Sequence, residues 1–256
     1  MLLDLERRTA VITGASRGIG RAVALALADE GVRVALVARS EVNLERAAAE
    51  IRERGGEAHV IGADLSDWDA ASNVVGRATE ALGEAPTIVV LSHGHMHRYV
   101  KVHSVLREDL DMSLNTDLRA PFALLGPALE EMMAARHGRV VVVGSHLGRM
   151  GAPKTPINST VKAALEGLVR NIALDFGRYG VTANIVAPGF VDNERLAELN
   201  DDPAARRKMK RAAATRALSK NEDVARLVTF LCSPVAAQIT GAVLPIDGGL
   251  HLTNLL

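Results

Sequence analysis

The chain has 256 residues, of which 48% are hydrophobic, and its 30 Lys and Arg residues balance its 30 Asp and Glu residues. A chain of this length and apolar content can bury the core of one large α/β domain. The zero net charge gives no basis for a nucleic-acid or anionic-membrane partner, so we expect a small-molecule ligand instead.

The apolar runs and the cysteine content lead us to expect a cytoplasmic protein. No apolar run approaches the length of a membrane span, and the first residues lack the charged start, apolar stretch and cleavage site of a signal peptide. The single cysteine, Cys232, cannot form an internal disulfide, which agrees with a reducing compartment. It lies within LVTFLCSP, and we interpret it as a small buried hydrophobic residue.

Short β-branched runs alternate along the chain with Ala- and Leu-rich stretches of helical periodicity. The runs predicted as strands are 9–13, 33–38, 58–63, 87–92, 139–145 and 181–188. Such alternation predicts buried parallel strands joined by right-handed helical crossovers. We therefore expect an α/β fold, a Rossmann-type doubly wound parallel sheet with helices on both faces, in a single domain over 1–256.

The first predicted strand runs through TGASRGIG (13–20) directly into a helical stretch. Gly14 permits a sharp turn, Gly18 lets the backbone approach phosphates, and Gly20 allows close packing of helix on strand. The start of the helix would supply amide donors to a pyrophosphate. This strand, loop and helix together predict a dinucleotide site, which the glycines alone would not.

Two arginines bear on which dinucleotide binds. In an NAD enzyme an acidic residue usually follows the second strand and binds the ribose 2′-hydroxyl, but this chain has Arg39 there, followed by Ser40. Arg17, in the glycine-rich loop, is a second cation for the same position, and guanidinium groups suit phosphate oxygens. Together the two arginines favour NADP over NAD.

Residues 192–221 are polar, charged and helical in pattern. Charge-rich stretches of this kind usually form solvated surface helices. The stretch also follows the carboxyl end of the sixth strand, where open α/β sheets bind ligands, so it is alternatively a mobile lid. In the second interpretation it would cover a substrate held by loops over 94–100 and 147–156.

Several motifs occur in a characteristic order along the chain. They are TGASRGIG, GADLSD, Asn115 within SLNTDL, Ser145 after VVVG, Lys162, and Pro188-Gly189. In this order the chain resembles the short-chain dehydrogenase/reductase family over essentially its whole length, with 3-oxoacyl carrier-protein reductases among the nearer members. The resemblance implies an NADP-dependent oxidoreductase that transfers hydride between NADP(H) and a small organic substrate. It also implies a homodimer or homotetramer that assembles through long helices over 104–136 and 158–177.

The resemblance also assigns roles to individual residues. The cofactor would be bound by Gly14, Ser16, Arg17, Gly18, Ile19, Gly20, Arg39, Ser40, Asp64, Leu65, Ser92, Gly94, Lys162, Pro188, Gly189, Val191 and Asn193. Among them, Asp64 would hold the adenine amino group, and Val191 with Asn193 would face the nicotinamide carboxamide. The catalytic positions would be Asn115, Ser145, Asn158 and Lys162.

The sequence departs from the family pattern mainly at positions expected to take part in the reaction. Leu91-Ser92-His93-Gly94 stands where the family usually has Asn-Asn-Ala-Gly, and Asn193 stands where it usually has threonine. Asn158, four residues before Lys162, occupies the position of the catalytic tyrosine. Asparagine donates hydrogen bonds but cannot release a proton at neutral pH. General acid catalysis contributes about 10²–10⁴ in rate, so ketone reduction should be slow unless another group supplies the proton.

Other side chains near the same motifs are alternative proton donors. They are His93, His95, His97, Tyr99 and His146. Histidine titrates near neutrality, although polar lining of a loop is the more common role for such residues. The alternation of His93, His95 and His97 also fits one face of an extended metal-binding segment. No carboxylate or fourth ligand is identifiable nearby in the sequence, so we expect no metal.

Three explanations are open for an asparagine, Asn158, at the position of the family's tyrosine. In the first, hydride transfer continues with a substrate that needs less acid help, such as a protonated imine or a conjugated enone. In the second, the nucleotide is structural and the pocket performs isomerisation, cyclisation, elimination or aldol-type chemistry. In the third, the chain binds nucleotide without catalysis, or one residue of an ordinary enzyme has been altered. The further departures at 91–93 and Asn193 favour natural divergence over a single altered residue.

Overall fold

A parallel sheet is the scaffold of the molecule. The structure, a computed structural model, describes residues 3–95, 98–199 and 202–252. Its strands within these residues are β1 (Thr9–Thr13), β2 (Arg33–Ala38), β3 (Ala58–Gly62), β4 (Ile88–Leu91), β5 (Gly138–Val143), β6 (Val181–Pro188) and β7 (Val243–Ile246). They pair in the order β3-β2-β1-β4-β5-β6-β7, and every neighbouring pair is parallel. This arrangement confirms the doubly wound, Rossmann-like sheet that the sequence predicts.

Helices connect the strands. In the described ranges they are α1 (Gly18–Asp29), α2 (Glu41–Glu53), α3 (Trp68–Ser72), α4 (Val74–Leu82), α5 (Arg107–Ser113), α6 (Ala120–Ala135), α7 (Leu147–Met150), α8 (Pro156–Phe176), α9 (Glu194–Leu199), α10 (Pro203–Ala212) and α11 (Asn221–Cys232). Local chemistry accounts for several starts, since Ser40 caps α2, Asp67 caps α3 and Pro156 occupies the first turn of α8. No helix in these ranges is long and apolar enough to cross a membrane.

Two hydrophobic cores lie on opposite faces of the sheet. Helices α4, α6 and α8 pack against one face, and α1, α2 and α11 pack against the other. Successive strand residues alternate between the cores, as Val11 belongs to the first and Ile12 to the second. Because both faces are covered, the strands form nearly continuous apolar runs in the sequence. Cys232 lies in the second core, where burial raises its pKa to about 12, which agrees with the hydrophobic role expected for it.

The six strands predicted from the sequence are all present, with their ends shifted by at most one or two residues. The sequence does not predict β7, whose four residues, VLPI, are only partly buried. Pro245 within it has no amide hydrogen to donate, and proline is tolerated there because β7 is the last strand of the sheet. The continuous apolar run that marks the other strands is therefore missing from β7.

The predicted long helices differ in one detail from the observed ones. The helix expected over 158–177 is α8, whereas the helix expected over 104–136 begins at Arg107 and is interrupted by a π-helical turn, Leu114–Arg119, between α5 and α6. The polar stretch 192–221 contains α9 and α10, in agreement with its helical pattern.

Two glycines determine how closely the first turn packs. Gly14 has a φ of +66°, and a Cβ there would lie 2.7 Å from the carbonyl oxygen of Ser92, just after β4. A Cβ on Gly20 would lie 2.3 Å from the carbonyl oxygen of Gly14. The glycines therefore allow β1, α1 and the loop after β4 to meet. Chain order reverses between β1 and β4, so a crevice opens at the carboxyl ends of these strands.

Gly20→Ala should lower the free energy of unfolding by about 1–3 kcal/mol, because the added methyl group overlaps backbone that cannot move without displacing the turn. Gly76, in α4, is a matched control because a Cβ there would meet nothing within 4 Å. Gly76→Ala should raise the free energy of unfolding by about 0.5–1 kcal/mol. Urea unfolding followed by circular dichroism measures both changes, and equal stability of the two variants would contradict this account of the turn.

Candidate active site

A cavity of about 650 Å³ opens at the carboxyl end of the sheet. Its wall is formed by the segments that follow β1 to β6, together with the first residues of α9. Ligand sites commonly have this volume and this position in an open α/β sheet. The crevice between β1 and β4 is thus part of a larger site.

The wall contains every residue predicted to bind the dinucleotide. These residues are Gly14, Ser16, Arg17, Gly18, Ile19, Gly20, Arg39, Ser40, Asp64, Leu65, Ser92, Gly94, Lys162, Pro188, Gly189, Val191 and Asn193. The fold therefore brings residues from most of the length of the chain around one space.

The glycine-rich loop has the donors and the room that a pyrophosphate requires. Helix α1 begins at Gly18, and the preceding residue, Arg17, makes no side-chain cap, so the first amides of α1 are left as donors. Gly18 has a φ of +56°, and a Cβ there would approach only Asn193 Nδ2, at 3.8 Å. An uncapped helix start beside glycine is a common phosphate-binding arrangement.

Charged groups after β2 and β3 border the outer part of the cavity. The Asp64 carboxylate accepts hydrogen bonds from the Ser66 backbone N–H at 3.0 Å and from the Ser66 hydroxyl at 2.8 Å. The backbone hydrogen bond lowers the pKa of Asp64 against the opposing effect of burial, and the Arg39 charge lowers it further. Arg39 itself is exposed and forms no ion pair within the described ranges. Its guanidinium can therefore bind an anionic group of a ligand.

Arg17, which was expected to contact the same phosphate as Arg39, has a protein partner in this structure. Its guanidinium forms a two-point ion pair with Glu198 on α9, in which Arg17 Nη2 lies 3.2 Å from Glu198 Oε2. The hydrogen bond from Arg17 lowers the pKa of Glu198. This ion pair connects the glycine-rich loop to residues 192–221, which we call the polar segment.

Three of the predicted catalytic residues meet on the cavity wall. Ser145 follows β5, and Asn158 and Lys162 lie one turn apart on α8. Ser145 Oγ accepts the N–H of Leu147 at 3.2 Å, which leaves the hydroxyl hydrogen without an acceptor in the described part of the chain. The Asn158 carboxamide forms no hydrogen bond with those residues either. Both side chains therefore offer a donor to a ligand.

Lys162 has a carboxylate nearby. Its Nζ donates to the carbonyl oxygen of Val143 at 3.2 Å. Burial of the ammonium lowers the pKa of Lys162, the Asp117 carboxylate opposes this shift, and the Arg195 charge adds to it. Asp117 is only 2% exposed, and its Oδ1 accepts the N–H of His95 at 2.9 Å. The buried Asp117 carboxylate, which is not part of the cavity wall, thus partly balances the charge of Lys162.

Asn115 is the predicted catalytic residue that the structure does not bring to the cavity wall. It lies in the π-helical turn, and its Oδ1 accepts a hydrogen bond from Arg119 at 2.8 Å. The wide turn instead directs the Thr116 carbonyl and the Asp117 carboxylate towards the loop after β4. Such turns recur at functional sites, and the order of motifs in a sequence does not reveal them.

His93 connects β1 to the π-helical turn. Its Nε2 lies 3.0 Å from the carbonyl oxygen of Thr116, and its Nδ1 lies 2.6 Å from the hydroxyl oxygen of Thr13. Because a carbonyl only accepts, Nε2 carries the hydrogen and Nδ1 accepts from Thr13. Burial lowers the pKa of His93 to about 4. At neutral pH His93 is therefore a neutral bridge with both ring nitrogens engaged, rather than an acid facing a substrate.

The remaining predicted donors differ in their surroundings. His146 donates from Nδ1 to the carbonyl oxygen of Pro188 at 3.1 Å, and burial lowers its pKa, so the ring is neutral at neutral pH. Tyr99 is on the cavity wall but is 56% exposed. His95 also borders the cavity. His97 lies outside the described residues.

Contacts join the residues at the two ends of the polar segment, residues 192–221, to each other. Val191 pairs with Ser219 in a short parallel bridge. Asn193, which the resemblance places beside a nicotinamide carboxamide, here caps α9 by accepting the N–H of Leu196 at 3.1 Å. It also donates to Asn221 Oδ1 at 3.1 Å. These contacts hold the start of α9 against the cavity.

Asp117 and Arg195 are residues of the site that sequence analysis missed. Asp117 stands two positions after Asn115, and Arg195 lies near the start of the polar segment. A single charge in a helical, polar stretch has no signal of its own because it resembles any solvated surface residue. Their proximity to Lys162 exists only in the folded chain.

Known protein sequences are similar to this chain over nearly its whole length. Residues 14–251 match a family model described as enoyl-(acyl carrier protein) reductase. The chain is 34% identical over 251 residues to the 3-oxoacyl-(acyl-carrier-protein) reductase FabG of Pseudomonas aeruginosa, which covers 98% of this chain and 100% of that protein.

Solved structures are similar over the same range. A 3-oxoacyl (acyl-carrier-protein) reductase of Agrobacterium tumefaciens C58 with NADP bound has a TM-score of 0.92 and 29% identity, covering 97% of this chain and 96% of its own. A short-chain dehydrogenase/reductase of Serratia marcescens BCRC 10948 has a TM-score of 0.87 and 32% identity, covering 96% and 99%. The chain therefore belongs to the short-chain dehydrogenase/reductase family of oxidoreductases.

Proposed function

We propose that this oxidoreductase binds NADP(H) and transfers hydride between it and a small carbonyl, imine or enone substrate, with Asn158 in the position of the family's tyrosine. The observation that carries the proposal is the shared cavity wall, which joins the glycine-rich loop to Ser145, Asn158 and Lys162. A dinucleotide bound along this wall would have a substrate beside it at the catalytic residues.

The donors around the outer cavity support NADP as the cofactor. The uncapped amides of α1 would hold the pyrophosphate, and Arg39 would bind the 2′-phosphate that distinguishes NADP from NAD. The A. tumefaciens relative has NADP bound. When it is bound, the nicotinamide ring supplies or accepts the hydride. Lys162 would hold the adjoining ribose, as the family resemblance implies.

Ser145 and Asn158 would stabilise the substrate oxygen. Each has a hydrogen that the described residues do not engage, so both can donate to negative charge that develops on that oxygen. One preorganised donor of this kind contributes about 10²–10³ in rate. The ammonium of Lys162, on the same wall, adds positive charge.

The lack of a phenol at position 158 bears on the kind of substrate. Neither Ser145 nor Asn158 releases a proton readily at neutral pH, and His93 is neutral with both nitrogens engaged. Substrates that do not become strongly basic alkoxides are therefore favoured. Hydride converts a protonated imine to a neutral amine and a conjugated enone to a stabilised enolate. The family model is described as an enoyl reductase, so reduction of a conjugated double bond occurs among similar proteins, whereas FabG is described as a 3-oxoacyl reductase, whose acceptor is a ketone.

Arg39→Ala should raise the dissociation constant for NADPH by about 10- to 100-fold, because a charge-assisted contact to the 2′-phosphate is lost. The dissociation constant for NADH, which has no such phosphate, should hardly change. Fluorescence titration measures both constants. Arg46→Ala is the control, since Arg46 is exposed on α2 and is not part of the cavity wall. Equal effects of Arg39→Ala on the two nucleotides would contradict the proposed phosphate site.

Asn158→Tyr should raise the rate of NADPH-dependent ketone reduction by about 10²–10⁴, because it supplies a proton donor beside Lys162. Asn158→Phe is the matched control, since it adds a ring of similar size without the hydroxyl, and it should give no gain. The rates are measured as loss of NADPH absorbance with a broad panel of ketones.

The same assay separates the alternatives for the natural protein. Oxidation of NADPH with conjugated enones or imines, and much less with ketones, is the expected result for the wild-type protein. If Asn158→Tyr gives no ketone reduction and the wild-type protein turns over a substrate without consuming NADPH, the pocket performs non-redox chemistry instead.

We also propose that the protein assembles into a homodimer or homotetramer through α6 and α8. Phe122 on α6 is 52% exposed and Leu174 on α8 is 80% exposed, on helices that pack against the same face of the sheet. Exposed apolar side chains on adjoining surfaces are typical of an interface.

The double substitution of Phe122→Glu and Leu174→Glu should lower the molecular mass measured by light scattering in solution, because charged groups would be buried between subunits. Val42→Glu is the control, since Val42 is 67% exposed but lies on α2, at the other face. An unchanged mass in the double variant would exclude these helices as the interface.

A further inference from the structure

Arg195 is an arginine of the polar segment whose charge lies at the substrate end of the cavity. It belongs to α9 and borders the cavity, and its Nη2 donates to the carbonyl oxygen of His95 at 2.9 Å. Its Nη1 lies 3.9 Å from the point where a Cβ of Gly94 would stand, and Lys162 Nζ lies 3.9 Å from the same point. Because Gly94 has no side chain, the two cations meet at the part of the cavity beside Gly94, a space that the Asp117 carboxylate also approaches.

The described part of the chain balances the charge around this space only in part. Asp117 Oδ1 lies 3.1 Å from the same point, but Asp117 is buried and is not part of the wall, and it is one carboxylate beside two cations. Arg195 forms no ion pair with a carboxylate of the described residues. Glu194 borders the cavity next to Arg195 but forms no ion pair there either.

One further cation on the wall adds to the excess of positive charge. Lys154 borders the cavity and forms no ion pair with the described residues. Arg98 also borders the cavity, but it is paired with the Asp109 carboxylate at 3.7 Å. The Arg195 charge is close enough to Lys162 to lower the pKa of the lysine. An anionic group of a ligand would relieve this repulsion.

We propose that Arg195 binds a carboxylate of the substrate, so that this enzyme acts on small imines or conjugated enones that carry a carboxylate rather than on their uncharged counterparts. The inference rests on the proposed function, because it names the substrate class of the same site. The guanidinium is suited to this role because its Nη2 is held by the His95 carbonyl while its Nη1 faces the space beside Gly94. A planar fork held in this way loses little side-chain freedom when a carboxylate binds.

The test measures binding rather than turnover. Because a protein with Asn158 should reduce simple ketones slowly, the affinities of ketone probes can be measured in the presence of NADPH. The probes are 4-oxopentanoate and 5-oxohexanoate, each compared with its methyl ester, titrated calorimetrically into the protein with and without NADPH. Each acid should bind at least about tenfold more tightly than its ester, as a charge-assisted contact implies. Arg195→Gln should reduce the ratio of acid to ester affinity to near one while it leaves the ester and NADPH affinities unchanged.

Arg207→Gln is the matched control. Arg207 is an exposed arginine of the same polar segment, on α10, and is not part of the cavity wall. This variant removes the same charge from the segment and should keep the preference for the acid.

Four results would overturn the inference. Equal binding of acid and ester by the wild-type protein, or no binding of any probe, would show that no carboxylate site exists for compounds of this size. A preference for the acid that survives Arg195→Gln would assign it to another cation. Weaker NADPH binding in Arg195→Gln, with the acid preference intact, would make Arg195 a cofactor contact.

Failure of the wild-type protein to bind NADPH would instead contradict the proposed function, while the titrations without nucleotide would still test Arg195.

Discussion

The close contact between the turn after β1 and the loop after β4 is the constraint on which the rest of the site depends. Gly14 makes the contact possible because a Cβ there would overlap the Ser92 carbonyl. His93 then secures it by bridging the Thr13 hydroxyl and the Thr116 carbonyl. The glycine-rich loop and the loop after β4 are therefore held by one set of contacts. Under the proposed function, any displacement of either loop would move the nucleotide relative to the substrate.

Under the proposed function, the residues that would bind the substrate oxygen do not also deliver the proton. Ser145 and Asn158 both offer hydrogen-bond donors, but neither is an acid at neutral pH. Lys162, which in the family lowers the pKa of a phenol, here has the buried carboxylate of Asp117 nearby. A desolvated ammonium is destabilised by several kcal/mol unless an opposite charge is near. Asp117 thus stabilises the cationic form of Lys162, which has an asparagine rather than a tyrosine four residues before it.

The polar segment, residues 192–221, contains one exposed helix and one helix that borders the cavity. Helix α10 is largely exposed, as a solvated surface helix would be, whereas α9 borders the cavity. Glu198 of α9 contacts the glycine-rich loop through Arg17, and Arg195 contacts the substrate loop through the His95 carbonyl. Exposed ion pairs contribute only about 0–1 kcal/mol. The ion pair between Arg17 and Glu198 is therefore too weak to hold α9 firmly on the glycine-rich loop.

The sequence by itself determined the first six strands of the sheet, the glycine-rich end of the cavity and the absence of a phenol at Asn158. These features are local, because strand runs, the glycine-rich loop and the spacing of Asn158 from Lys162 are each readable within a short stretch of chain. Only the tertiary structure decided that Asp117 and Arg195 lie near Lys162, that Arg17 meets Glu198, and that a π-helical turn holds Asn115 off the wall. The physical reason is that charge pairing depends on distances between residues far apart in the chain, which no local pattern encodes.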